Sequence, residues 1–144
     1  MRIIHGVWLA GFLTASVICA VTQDQKTEIK HGPVPVTSPA SGREMFVAYC
    51  ASCHGKDAKG DGPARNALKV PPADLTMLAK KNNGDYPSMK VTTVLTGQAN
   101  LAAHGSQEMP VWGPIFWRMS GGHEAEVQQR ITNLNRYLES LQVK

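Results

Sequence analysis

Residues 50–54 read Cys50-Ala51-Ser52-Cys53-His54, and few chemistries use those residues in that order. Two thiols three positions apart on a helical turn lie on one face. They can add to the two vinyl groups along one side of a porphyrin and form thioethers. The next residue, His54, then sits beneath the ring, where Nε2 can bind iron. The pattern is expected to attach one haem c covalently through Cys50 and Cys53, with His54 as an axial ligand. Two other chemistries use Cys-x-x-Cys. A redox dithiol belongs in a βαβ setting, and no stretch here alternates convincingly as a strand. A zinc site needs a second ligand pair, for which the region after the motif offers only His104 and His123.

A haem iron takes a sixth ligand or keeps an open position. The candidate methionines are Met45, Met77, Met89, Met109 and Met119. Met45 precedes the motif on the same expected helix, and Met77 and Met89 fall in expected helices, where packing explains them. Met109 stands in the non-helical stretch Ser106-Gln107-Glu108-Met109-Pro110. Pro110 biases it towards extended backbone, which suits a loop side chain presented across a flat ligand. It lies 55 residues after His54, enough chain to pass from one face of a haem to the other. Met109 is therefore the expected distal ligand. A core methionine, His104 in a bis-histidine site, and an open site are the alternatives.

The elements that must hold these residues read as helices. Ser41-Gly42-Arg43-Glu44 has the capping-box pattern, and Met45, Phe46 and Tyr49 come next at helical spacing. A helix should run from about Ser41 into the cysteine motif. Residues 55–63 hold three glycines and Pro63, a loop. They lack Gly-Lys-Ser/Thr, so a phosphate loop is not expected, and Asp57 and Asp61 lack calcium-loop spacing. Asp74 can cap a short helix through Lys81, and Ser88 a second one ended by Gly97. Gly113-Pro114 starts a turn or helix carrying Ile115, Phe116 and Trp117. Val127, Ile131, Leu134, Leu138 and Leu141 form one apolar stripe on a last helix. The expected class is all-α. Leu68, Val70, Leu75, Leu78, Val94, Leu95, Ile115 and Phe116 are expected as pocket and core residues. Trp112 and Trp117 can line the pocket or donate an indole N–H to a propionate.

Length and composition set the frame. The chain has 144 residues, 42 % apolar and 18 % charged, which fits one globular domain. A net charge of +4 is too small and scattered for a nucleic-acid binder. A short positive start and the uncharged run 7–21 match a secretory signal, and the run is short for a membrane span of about 20 residues. Residues 1–22 are accordingly expected as a signal peptide or N-terminal anchor. Cys19 follows Ile18, a poor fit to a lipid-attachment site, and reads better as part of a discarded signal. Without the first 23 residues the chain holds 14 basic and 11 acidic residues, a net +3. Residues 23–40, with Pro33, Pro35 and Pro39, read as a flexible linker, and residues 41–144 as the folded domain. Residues 56–90 hold seven basic side chains against four acidic ones, which can steer acidic partners or simply be solvated.

From Ser41 onward the sequence resembles the class I c-type cytochromes, small exported monohaem electron carriers of bacteria. The resemblance rests on several residues in order. Gly42 and Phe46 stand eight and four positions before Cys50, and Leu134 and Tyr137 stand three apart on the last helix. The family packs these two helices across each other. Gly62-Pro63 resembles the family's pair whose proline carbonyl accepts a bond from the haem histidine Nδ1–H, which would make Pro63 a support for His54. Met109-Pro110 matches its methionine-proline pair. The stretches 71–76 and 112–117 depart from that pattern and resemble bacterial members of respiratory chains.

The resemblance implies a class I cytochrome c fold around one covalent haem and single-electron transfer in the cell envelope. Partners would be redox proteins: a quinol-oxidising complex, a dehydrogenase, or a terminal oxidase or reductase. No residue has to act as acid, base or nucleophile, so no enzyme is expected. The alternatives are a haem c subunit of a larger oxidoreductase and a gas-binding or sensor haem protein whose distal ligand is displaceable.

Overall fold

A computed structural model describes residues 32–98 and 109–143. The expected signal segment, Cys19, the first part of the linker and His104 lie outside the described residues. All regular elements among the described residues are helical: α1 (Gly42–Tyr49), α2 (Ala51–His54), α3 (Ser88–Thr96), α4 (Trp112–Met119) and α5 (Glu124–Ser140). Three single 3₁₀ turns, Arg65–Ala67, Leu75–Met77 and Lys80–Asn82, punctuate the long connection between α2 and α3.

Ser41 caps α1, its Oγ accepting from Glu44 N at 3.2 Å. The return half of a capping box is replaced by a turn, since Ser41 N–H donates to Ser38 O. The helix then breaks for a single residue. Cys50 caps α1 and the next turn begins at Ala51, so the expected run into the cysteine motif holds with one kink. Asp74 caps as expected, Oδ1 accepting from Thr76 N, but the segment it opens is two 3₁₀ turns and not one α-helix. Ser88 does not cap α3. Pro87 holds that position, and Ser88 Oγ instead accepts from Asn135 Nδ2 on α5. Gly97 closes α3 in the left-handed conformation. α4 starts at Trp112, with Pro114 in the first turn, where its missing N–H costs no helical bond.

The core lies where α1 crosses α5. Met45, Phe46, Leu134 and Phe116 are fully buried. Phe46 and Tyr137 rings meet at 5.5 Å, centroid to centroid. Gly42 makes the crossing close. A Cβ there would overlap the Asn133 carbonyl oxygen and stand 2.8 Å from Tyr137 Cβ.

The expected linker does not stay loose up to Ala40. Thr37 is buried, with Oγ1 2.6 Å from Tyr49 Oη, and that hydroxyl also donates to Pro35 O. Arg130 Nη1 donates to Thr37 O, and Asn133 Nδ2 to Pro39 O. The carbonyls of this proline-rich segment satisfy donors that α1 and α5 would otherwise bury unpaired.

Arg130 is an unexpected interior residue. It is only 3 % exposed, its guanidinium paired with Glu126 at 2.8 Å and placed 6.0 Å from the Phe116 ring centroid. Ser120 Oγ donates to the same Glu126 oxygen. The hydrogen bond from Arg130, aided by Ser120, holds the Glu126 carboxyl below the usual carboxylate range.

This packing sets two expected outcomes. Gly42→Ala should destabilise by about 1–3 kcal/mol, because overlap with a backbone carbonyl outweighs the roughly 0.5–1 kcal/mol an alanine gains in a helix. Denaturant unfolding reads it, and unchanged stability would refute the close crossing. Glu126 has a depressed folded pKa, so its contribution is complete above the unfolded value and is lost as pH falls below about 4.5. The melting temperature should drop between about pH 5 and pH 3, and less steeply in Glu126→Gln.

Candidate functional site

The cysteine motif occupies a single helical turn. Cys53 N and His54 N both donate to Cys50 O, and Gly55 N to Ala51 O, so the five residues are wound tightly at the end of α1. Cys50 and Cys53 are free thiols. Burial, and next the neighbouring Cys53, push the Cys50 thiol up to about 12. A redox dithiol wants the opposite shift.

Cys50, Cys53 and His54 open onto one cavity of about 480 Å³. That is within the roughly 300–1,000 Å³ of small-molecule and cofactor sites. Three regions complete its wall. The 68–78 segment contributes Leu68, Val70, Leu75 and Leu78. Helix α3 contributes Val91, Val94 and Leu95, and the approach to α4 contributes Met109 and Trp112. These walls are apolar. Lys81, Asn82 and Lys90 supply the polar part of the lining. Met109 is half-buried and packs against the core.

His54 is oriented by its backbone surroundings. Its Nδ1 lies 3.0 Å from Ala73 O, which makes Nδ1 the donor and leaves the Nε2 lone pair free. Burial lowers its pKa below the ordinary histidine value and favours the neutral ring, against a smaller opposing effect of the Ala73 bond. A neutral imidazole with one free nitrogen is the form that binds a metal.

The carbonyl partner differs from the expectation at Pro63. Gly62 N donates to Cys53 O and Ala64 N to Ser52 O, so the Gly62-Pro63 stretch runs along the carbonyl edge of the cysteine turn. A Cβ on Gly62 would come within 2.6 Å of Cys53 O, which explains the glycine. The chain reaches the histidine ring ten residues later. Gly60 N donates to His54 O and Leu75 N to Ala58 O, which folds the 55–60 loop against residues 73–75 and sets the Ala73 carbonyl at Nδ1.

Of the other expected pocket residues, Leu68, Val70, Leu75, Leu78, Val94, Leu95 and Trp112 line the cavity. Ile115 and Phe116 pack in the core. Trp117 is half exposed and packs on Gly122. Tyr49 is a wall residue that the sequence reading misses. Its ring lines the cavity and stacks on Trp112 at 5.0 Å. Its place directly before Cys50 is the available signal. Among the described residues no three His, Cys, Asp or Glu side chains cluster.

An all-helical fold whose first and last helices cross, with a Cys-x-x-Cys-His turn facing an apolar cavity, defines a c-type cytochrome domain. Residues 37–117 match the family model described as cytochrome c oxidase, cbb3-type, subunit III, and the chain belongs to that family. No curated protein and no solved structure gives a significant match. The family carries covalently bound haem c and works in haem-based electron transfer. The residues present fit that group. Two free thiols and a neutral, oriented imidazole share one apolar cavity with a thioether side chain.

Cys50→Ala or Cys53→Ala should each leave one thioether and sharply lower the yield of holoprotein. The double variant should give no haem-stained band on a denaturing gel, and a band of normal intensity would refute the attachment.

Proposed function

We propose that this chain is a monohaem single-electron carrier of the bacterial cell envelope. Cys50 and Cys53 hold the haem by thioethers, and His54 and Met109 bind its iron. The support is the cavity that these four side chains line together. The haem supplies a one-electron couple, and a His/Met ligand pair places it higher in potential than bis-histidine.

The protein's own part is positional. The Ala73 carbonyl fixes the His54 ring, and the leucine and valine walls exclude water and keep the dielectric low. Lys81 and Lys90 place positive charge at the cavity lining, where they can offset propionate charge or meet an acidic partner. Because both axial ligands stay in place, little has to rearrange when an electron moves, and no side chain acts as acid, base or nucleophile. Residues 1–22 would export the chain, placing it in the periplasm or on the outer face of the cytoplasmic membrane. None of the described helices is long and apolar enough to cross a membrane. Partners on this reading are a quinol-oxidising complex or dehydrogenase on one side and a terminal oxidase or reductase on the other.

The family match favours a second reading, a haem c subunit held permanently in an oxidase complex. Purification from native membranes separates the two, since a carrier comes away alone and a subunit comes away with its complex.

Mass spectrometry of the native protein should give the mature polypeptide plus one haem. The ferric protein should show the near-infrared charge-transfer band of methionine ligation, and Met109→Ala should lose it. Absence of the band in wild type would refute Met109 as ligand.

A further inference from the structure

Gln142 lies beyond α5 and outside the family match, which ends at residue 117. Its side chain makes three hydrogen bonds, all to backbone. Oε1 accepts from Ala79 N at 2.9 Å, and Nε2 donates to Leu75 O and to Leu138 O at 2.8 Å each. The next residue adds a fourth tie, Val143 N to Thr76 O at 3.0 Å. Leu75 O and Ala79 N bracket the 3₁₀ turn Leu75–Met77. A short turn leaves such groups without helical partners, and a carboxamide is the side chain that can accept from one and donate to the other.

The clamped turn is a wall of the site. Leu75 and Leu78 line the cavity, and Ala73, two residues before Leu75, supplies the carbonyl for His54 Nδ1. From the other side Leu75 N is tied to Ala58 O. The segment is therefore gripped between the loop after the cysteine motif and the C-terminal end of the chain.

We propose that Gln142 is a positioning residue for the proximal histidine. It holds residues 75–79 in register, so that the Ala73 carbonyl stays on His54 Nδ1–H. This rests on the haem reading above for its effect on potential, but not for its effect on the turn. Loss of the clamp lets the carbonyl move off Nδ1. The imidazole becomes a weaker donor to iron, the ferric state loses stabilisation, and the midpoint potential rises.

The test compares Gln142→Leu, Gln142→Glu and Ile131→Ala with wild type. Gln142→Leu keeps the bulk and loses all three bonds. Gln142→Glu keeps the acceptor for Ala79 N, and Ile131→Ala removes buried apolar volume from α5 at a position that does not line the cavity. Midpoint potentials and the solvent exchange of the His54 Nδ1 proton and the Ala79 amide are measured, exchange by NMR on the reduced holoprotein.

Gln142→Leu should raise the potential and speed both exchanges roughly tenfold or more. Gln142→Glu should protect the Ala79 amide better than Gln142→Leu does, and Ile131→Ala should leave the potential at the wild-type value. A Gln142→Leu protein with wild-type potential and exchange overturns the proposal, as does an equal shift in Ile131→Ala, which would reduce Gln142 to general stability. A wild type that carries no haem sinks the functional reading instead. The clamp is then still judged by the Ala79 amide.

Discussion

Helix α1 can reach α5 only because Gly42 brings no side chain to the point of contact. Its backbone lies against the Asn133 carbonyl and Tyr137 Cβ, closer than a Cβ could approach. The register of α1 along α5 is thereby fixed, and with it Phe46 on Tyr137 and Met45 and Leu134 in the core. The cysteine motif continues from α1 after one residue, so where α1 lies decides where Cys50, Cys53 and His54 face. A cofactor attached through two side chains of one helical turn tolerates little movement of that turn. The close crossing is therefore a requirement of the site as much as of stability.

Around the crossing the fold buries polar groups and satisfies them. Among the described residues no buried side-chain nitrogen or oxygen lacks a partner. Arg130 is the costly case, since a buried guanidinium stabilises little unless every donor is used. Here it binds Glu126, Ser120 and Thr37, and so draws the strand before α1 onto the domain. Asn135 acts similarly on the next turn of α5, donating to Ser88 and Thr92 on α3 and accepting from Tyr86. These two residues stand beside the apolar stripe of α5. They turn a non-directional apolar face into one that accepts its neighbours in a single arrangement.

Much of this is legible in the sequence wherever the signal is local. The cysteine motif, the Ser41 cap, the Gly97 stop and the stripe of α5 each depend on residues a few positions apart. Contacts between distant segments leave no such signal. Pro63 and Ala73 both come after the motif, and nothing local to either says which carbonyl will meet His54. That is decided by how the 55–60 loop folds back through Ala58 and Gly60. The proline-rich stretch reads as a linker because its composition has no periodicity, yet its free carbonyls are what Tyr49, Arg130 and Asn133 need. Arg130 carries a faint sign. It stands three residues after Val127 and one before Ile131, on the apolar face, where a charge has to find partners.

The cavity is closed by pieces far apart in the chain. One side is the compact turn 50–54, built by short-range bonds. The rest comes from residues 68–78, from α3, and from Met109 to Trp112, anchored by Gln142, Asn135 and Tyr49 respectively. Tyr49 links these halves, since its hydroxyl holds the strand at Pro35 and Thr37 while its ring stacks on Trp112, three residues from Met109. A site that only bound a ligand could leave such walls loose. One that passes electrons gains from holding them, because the less the surroundings shift between two oxidation states, the smaller the barrier to each transfer. The ties at Gly42, Ala73, Tyr49 and Gln142 all restrain the same cavity, and that convergence suits the haem-based electron transfer of the family.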